Sequence, residues 1–268
     1  MIGPRMSDSM KKPIRIANCS GFYGDRLSAA KEMVEGGQSD VLTGDWLAEL
    51  TMLILAKDRM KEPSGGYAKT FVKQMDQVMK TCLEKGIKVV VNAGGLNPAG
   101  CADAVKKVAE KNGLTPNIAW IEGDNLMPRL GELKAAGIDF RNIDTGEPIG
   151  NRQVLTANAY IGARPIVEAL RQDAHVVITG RSTDTALTYA PIFHEFGWAW
   201  DDYARIGAGI VAGHINECGA QASGGNSLID WRSVPDLAIV GYPIIEAFPD
   251  GSFVVTKHLG TGGRVDVE

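Results

Sequence analysis

The stretch GHINECGAQASGGN, from Gly213 to Asn226, sets an imidazole, a thiol and a carboxylate within five residues, and the amide of Gln221 follows. On a helix, His214, Glu217, Cys218 and Gln221 stand at i, i+3, i+4 and i+7, which is one face. Polar groups stacked on one face are costly against an apolar neighbour, so this spacing calls for a polar cleft. Were the segment a loop, its flanking glycines would still let the side chains converge. Three chemistries suit the residue types. Cys218 could be a nucleophile supported by His214, with Glu217 orienting the imidazole. Glu217 and His214 could instead serve as general base and acid. In the third, His214 and Glu217 reach one divalent ion, with His258, His194 or Asp184 supplying another ligand, although no residue is assigned as a metal ligand.

A second cluster, TGRSTDTA, places Arg181 and Asp184 directly after a buried-looking strand. The guanidinium fork of Arg181 suits a carboxylate or phosphate, and Asp184 suits a helix cap or a base. Other strand ends are equally small and polar: CSGFYGDR with Ser20 and Gly21, NAGGLNPAG with Asn92, Gly94, Gly95 and Asn97, EGDN, and GTGGR with Thr261, Gly262 and Gly263. Gly224 and Gly225 close the first stretch. Glycine lets backbone N–H groups approach an anion, and a following helix N-terminus adds partial positive charge, so these loops are expected to share an anion-holding pocket. In NAGGLNPAG, Asn97 is expected to cap a helix that Pro98 begins. No segment carries the spacing of a dinucleotide fingerprint or a nucleotide phosphate loop.

The elements that must position these groups alternate. Short β-branched runs at Ile14 to Cys19, Asp40 to Gly44, Lys88 to Gly95, Asn117 to Gly123 and HVVITGRS, together with VLTANAY, are separated by amphipathic stretches. Those stretches cover Arg26 to Glu35, Asp45 to Lys57, Tyr67 to Glu84, Ala99 to Lys111 and Ala163 to Gln172. This rhythm predicts an α/β fold: a mostly parallel, Rossmann-like sheet with helices on both faces. Ligands of such sheets bind outside the carboxyl ends of the strands, where the polar loops fall. Gly86, Gly113 and Gly137 are placed as helix C-caps. After Asp201 the pattern loosens, and LAIVGYPIIEAF and SFVVTKHL, joined by PDGS, predict a β-rich, hairpin-like C-terminal segment. Residues 13–268 read as one domain, behind a mobile N-terminal tail at 1–12.

Composition excludes several classes. Hydrophobic residues at 44% and charged residues at 22% describe a folding globular chain. A net charge of -4 without a basic run excludes nucleic acid as a partner. The cysteines, Cys19, Cys82, Cys101 and Cys218, lack paired spacing and read as reduced thiols of a cytoplasmic protein. No apolar run is long enough to cross a bilayer.

KVVVNAGGLNPAGCADAV, HVVITGRSTDTALTYAPIFHEFGW, GHINECGAQASGGN and KHLGTGGRV, in this order, resemble the acyclic terpene utilisation (AtuA) family over nearly the whole chain. The chain departs from that pattern at Ser182-Thr183 and at Asn216. The resemblance implies a role in degrading acyclic terpenoids such as citronellol and geraniol through acyl-CoA intermediates. It also implies further C-terminal sequence, absent from this chain or supplied by a partner chain.

The resulting expectation is a cytoplasmic catabolic enzyme, acting on a small carboxylate or acyl-CoA thioester by lyase- or hydratase-like chemistry. His214, Glu217, Cys218 and Asp184 would be catalytic. Ser20, Gly21, Asn92, Gly94, Gly95, Asn97, Arg181, Gln221, Gly224, Gly225, Thr261, Gly262 and Gly263 would hold the ligand. No redox cofactor is required, coenzyme A enters as part of a thioester substrate, and a homo-oligomer is expected. The alternative is a non-catalytic ligand-binding or assembly subunit that completes a site with a partner.

Overall fold

The computed structural model describes residues 12–226 and 230–266. Apart from Lys12, the expected N-terminal tail lies outside the described residues. Five parallel strands, β1 (Ile14–Asn18), β2 (Val41–Gly44), β3 (Lys88–Val91), β4 (Ile118–Ile121) and β5 (Val176–Thr179), form one sheet with β6 (Pro243–Ala247) and β7 (Phe253–Lys257). The order is β4-β5-β3-β2-β1-β6-β7. β6 runs antiparallel to both β1 and β7, so the expected C-terminal hairpin extends the main sheet. Its turn closes through Phe248 N–H to Ser252 O at 2.9 Å.

Alternate strand residues feed opposite faces. Ala17, Leu42, Val89, Val91, Val176, Ile178 and Ile244 pack against α1 (Ala29–Gly36), α2 (Glu49–Lys61), α3 (Lys69–Lys85) and α4 (Pro98–Lys111). Ile16, Val41, Val90, Val177 and Ile245 pack against α6 (Arg164–Arg171), α7 (Ala186–Phe196) and α8 (Tyr203–Glu217). A short helix, α5 (Leu130–Ala135), lies in the segment between β4 and α6. Covering both faces explains the unbroken apolar runs VVV and VVI. Gly86, Gly113 and Gly137 all adopt positive φ at the ends of α3, α4 and α5. Asn97 caps α4, accepting from Gly100 N–H at 3.0 Å, with Pro98 in the first turn.

Three expectations are corrected. VLTANAY forms no strand; it crosses the surface between β4 and α6 and touches the fold through an isolated bridge from Asn158 to Asn125. LAIV holds a 3₁₀ turn at Leu237–Ile239 and an isolated bridge from Val240 to Gly262, and the strand begins only at Pro243. The glycine-rich sequence after Asp201 is the 15-residue helix α8. Its glycines, read as loosening, permit packing on α7: a Cβ on Gly213 would sit 2.5 Å from the Thr185 carbonyl oxygen.

Candidate active site

Four chain segments meet where β2, β3 and β5 end. β2 delivers Asp45, the residue directly after it, into a buried position at 4% exposure. β3 delivers Asn92, fully buried, whose Nδ2 donates to Asp45 Oδ1 at 2.6 Å and whose Oδ1 accepts from Trp46 N–H at 2.8 Å. Asp45 Oδ1 takes a second bond, from Leu47 N–H at 2.8 Å. The loop after β5 contributes Arg181 and Asp184, and the last turn of α8 contributes Glu217. One carboxylate oxygen from each of Asp45, Asp184 and Glu217 lies within 4.8 Å of the other two.

Close backbone packing produces this convergence. The missing Cβ at Gly213 lets α8 approach the start of α7, bringing Glu217 toward Asp184. A Cβ on Gly21 would lie 2.5 Å from the Cys218 carbonyl, so the loop after β1 can seat against the end of α8. Asn18 Nδ2 donates to Glu217 O at 3.3 Å, and buried Asn216 donates to Thr188 Oγ1 at 2.9 Å and Thr43 Oγ1 at 3.4 Å. Asn216 therefore ties α8 to α7 and β2.

Arg181 is nearly sealed from solvent. Its Nη2 lies 2.8 Å from Asp184 Oδ1, its Nη1 donates to Leu47 O, and its guanidinium stacks 4.3 Å above the Tyr160 ring. Buried Asp124 fixes the same loop by accepting from Arg181 N–H at 2.9 Å. The fork expected to clamp a ligand anion is thus engaged by the protein's own groups.

Crowded carboxylates in low dielectric resist ionisation. Burial first, and then the Asp184 charge, lift Asp45 to about 7, against opposing hydrogen bonds from Asn92 and Leu47 and the pull of Arg181. Burial also raises Glu217, and the Asp184 charge adds to it. Cys218 Sγ donates to Glu217 Oε1 at 2.8 Å, and its thiol is pushed up to about 12 by burial and then by that carboxylate. A nucleophilic cysteine needs the opposite, a stabilised thiolate. Cys218 therefore fits this site as a proton-bearing partner of Glu217.

Helix α8 ends at Glu217, and Cys218 begins a turn into a 3₁₀ segment, Gly219–Ser223. The single face expected for all four residues breaks there. His214 is exposed one turn before Glu217, and Gln221 is exposed with its Oε1 accepting from Asn226 Nδ2 at 3.2 Å. His194 and His258 do not join the carboxylates: His194 lines a separate 390 Å³ cavity beside Lys12 and Lys88, and His258 packs on Gly36 of α1.

The strand-end amides are committed within the protein. Ser20 N–H donates to Asn18 Oδ1, Gly21 N–H to Asp25 Oδ2, Gly94 N–H to Thr179 O and Gly95 N–H to Asn92 O. Gly224, Gly225, Gly262 and Gly263 donate to Gln221, Ala220, Ile239 and Pro235 carbonyls, while Thr261 Oγ1 donates to His258 O at 2.5 Å. Asn97 is held by its cap and by Ser64 and Gly65. These N–H groups therefore do not form an open anion cradle.

Sequence reasoning missed Asp45 and Asp124. Each is an acid within three residues after a strand, in TGDW and IEGD, and that placement was the available signal.

Among the described residues no helix is long and apolar enough to cross a membrane. The model of a family described as "Acyclic terpene utilisation family protein AtuA" matches residues 14–268. No curated protein and no solved structure gives a match.

Proposed function

The chain belongs to the acyclic terpene utilisation (AtuA) family, and from that premise we propose that it is a cytoplasmic catabolic enzyme transferring a proton at the carbon beside an activated carbonyl. The substrate is a small carboxylate or an acyl-CoA thioester, and the reaction is of lyase or hydratase type. The family description supports a place in acyclic terpene utilisation. The observation that carries the chemical reading is the pairing of Glu217 with Cys218 at 2.8 Å, inside a group of carboxylates at the carboxyl edge of the parallel strands.

In this reading Glu217 takes the proton from the substrate carbon, and the electron pair of the broken C–H bond moves toward the carbonyl oxygen. In the elimination direction that pair then expels a β-hydroxyl, which leaves as water with the proton that Glu217 took. In the hydration direction the same steps run backwards. Cys218 orients Glu217 through the thiol hydrogen bond, and His214 stands at the exposed rim as a relay to solvent.

Deuterium uptake from D₂O into the α-carbon of a branched acyl-CoA tests the reading. Wild-type protein should exchange, and Glu217→Gln should abolish exchange while the thermal midpoint stays near the wild-type value. Exchange at the wild-type rate in Glu217→Gln sinks the assignment, as does collapse of its midpoint, which makes Glu217 a structural residue.

A further inference from the structure

We infer that Asp45, Asp184 and Glu217 form a binding site for one hard divalent cation, of the magnesium, manganese or calcium class. The inference rests on the functional reading above, since it assigns a ligand to the same carboxylates. Two independent features point to it.

The first is spacing. Oxygens bound to opposite sides of one ion stand about 4.2 Å apart for magnesium and about 4.8 Å apart for calcium. The three carboxylate oxygens lie within 4.8 Å of one another, so one ion reaches all three with little movement.

The second is the state of Asp45. Its side chain is more than nine-tenths buried, and among the described residues its Oδ2 receives no hydrogen bond, both donors being on Oδ1. An unpaired oxygen on so enclosed a carboxylate, still reachable from the cleft, is open to a ligand. Asn92 and Leu47 fix Oδ1, and the carboxylate faces Asp184 and Glu217. Asp184 Oδ1 meets Arg181 Nη2 at 2.8 Å without a well-directed hydrogen bond.

Charge agrees with geometry. Three carboxylates against one guanidinium leave a local charge of about −2 when ionised, which a divalent ion neutralises. An all-oxygen ligand set suits hard cations such as magnesium, manganese and calcium. Three protein ligands leave coordination positions for water and for a substrate carbonyl or carboxylate oxygen. This also gives an anionic substrate a reason to enter a group of acids, since the strand-end amides are already committed. Cys218 and His214 flank the site, the thiol through Glu217 and the imidazole at the rim.

The test uses the full chain, stripped with chelator and dialysed. Manganese, magnesium, calcium and zinc are titrated separately by calorimetry, and thermal midpoints are recorded in parallel. Manganese, magnesium or calcium should bind at one site per chain and raise the midpoint. Asp45→Asn, Asp184→Asn and Glu217→Gln should each weaken binding by about tenfold or more. Far-ultraviolet dichroism confirms the fold of each variant, and Glu217→Gln, at a partly exposed helix end, serves should Asp45→Asn not fold. Absence of binding at millimolar concentration overturns the inference, as does equal binding in all three variants. Tightest binding by zinc, lost in Cys218→Ser, overturns the hard-cation assignment. A cation-dependent midpoint without proton exchange keeps the ion and removes the reaction. Exchange that persists in chelator, with no midpoint shift, does the reverse.

Discussion

Replacing Asp45 by asparagine should make the metal-free protein more stable at neutral and alkaline pH. The Asp45 carboxyl titrates at about 7 in the folded protein against an ordinary value of 3.8. Between those values the native state holds a proton that the unfolded chain has released, so stability falls as pH rises from about 4 to about 7 and levels off above. Each pH step of one across that window corresponds to about 1.4 kcal/mol, so the whole window removes roughly 4 kcal/mol, of which roughly 3 kcal/mol falls between pH 5 and 8. Asparagine keeps Oδ1 as acceptor for Leu47 N–H and the Asn92 amide, and it turns an N–H₂ toward Asp184 and Glu217. Its unfolding free energy should lack most of this pH dependence. Urea unfolding of both proteins in chelator, at about pH 5 and about pH 8, measures the difference. The advantage of Asp45→Asn should grow by roughly 3 kcal/mol from the lower to the higher pH. Parallel pH profiles, or a variant less stable than wild type at the higher pH, would refute the claim that burial and Asp184 strain this carboxyl.

Three further outcomes follow from the packing. Gly213→Ala puts a Cβ 2.5 Å from the Thr185 carbonyl oxygen, so it should cost about 1–3 kcal/mol in urea unfolding and slow proton exchange by moving Glu217. Asn97→Ala removes the α4 cap and should lower unfolding free energy by about 1 kcal/mol while leaving cation binding intact. Iodoacetamide at about pH 8 should label Cys218 slowly, because its thiol titrates near 12, and Glu217→Gln should speed that labelling, as read by mass spectrometry. Fast labelling of wild-type Cys218 would contradict the described environment.

The fold was legible where local pattern and final environment agree. β-branched runs covered on both faces, and amphipathic segments between them, placed all five parallel strands. VLTANAY misled because its alternation resembles a half-buried strand, yet no neighbouring strand offers it a ladder. α8 misled for the converse reason. Gly207, Gly209 and Gly213 lower helix propensity, but Gly213 is present for contact with α7, which only tertiary structure reveals. Within the site, Glu217 and Asp184 were visible from their spacing and their position after a strand. Asp45 was not, because one acid before a helical stretch reads as a helix start. The commitment of the loop amides was equally hidden, since their acceptors, such as Thr179 for Gly94 and Pro235 for Gly263, lie far off in sequence.

The three acids come from one residue after β2, the loop before α7 and the last turn of α8, so they become neighbours only when the sheet and both late helices are docked. A ligand of that trio has nothing to grip in a half-formed chain. Its effect should therefore appear in the unfolding limb of a kinetic chevron, which it slows, while the folding limb stays where it was.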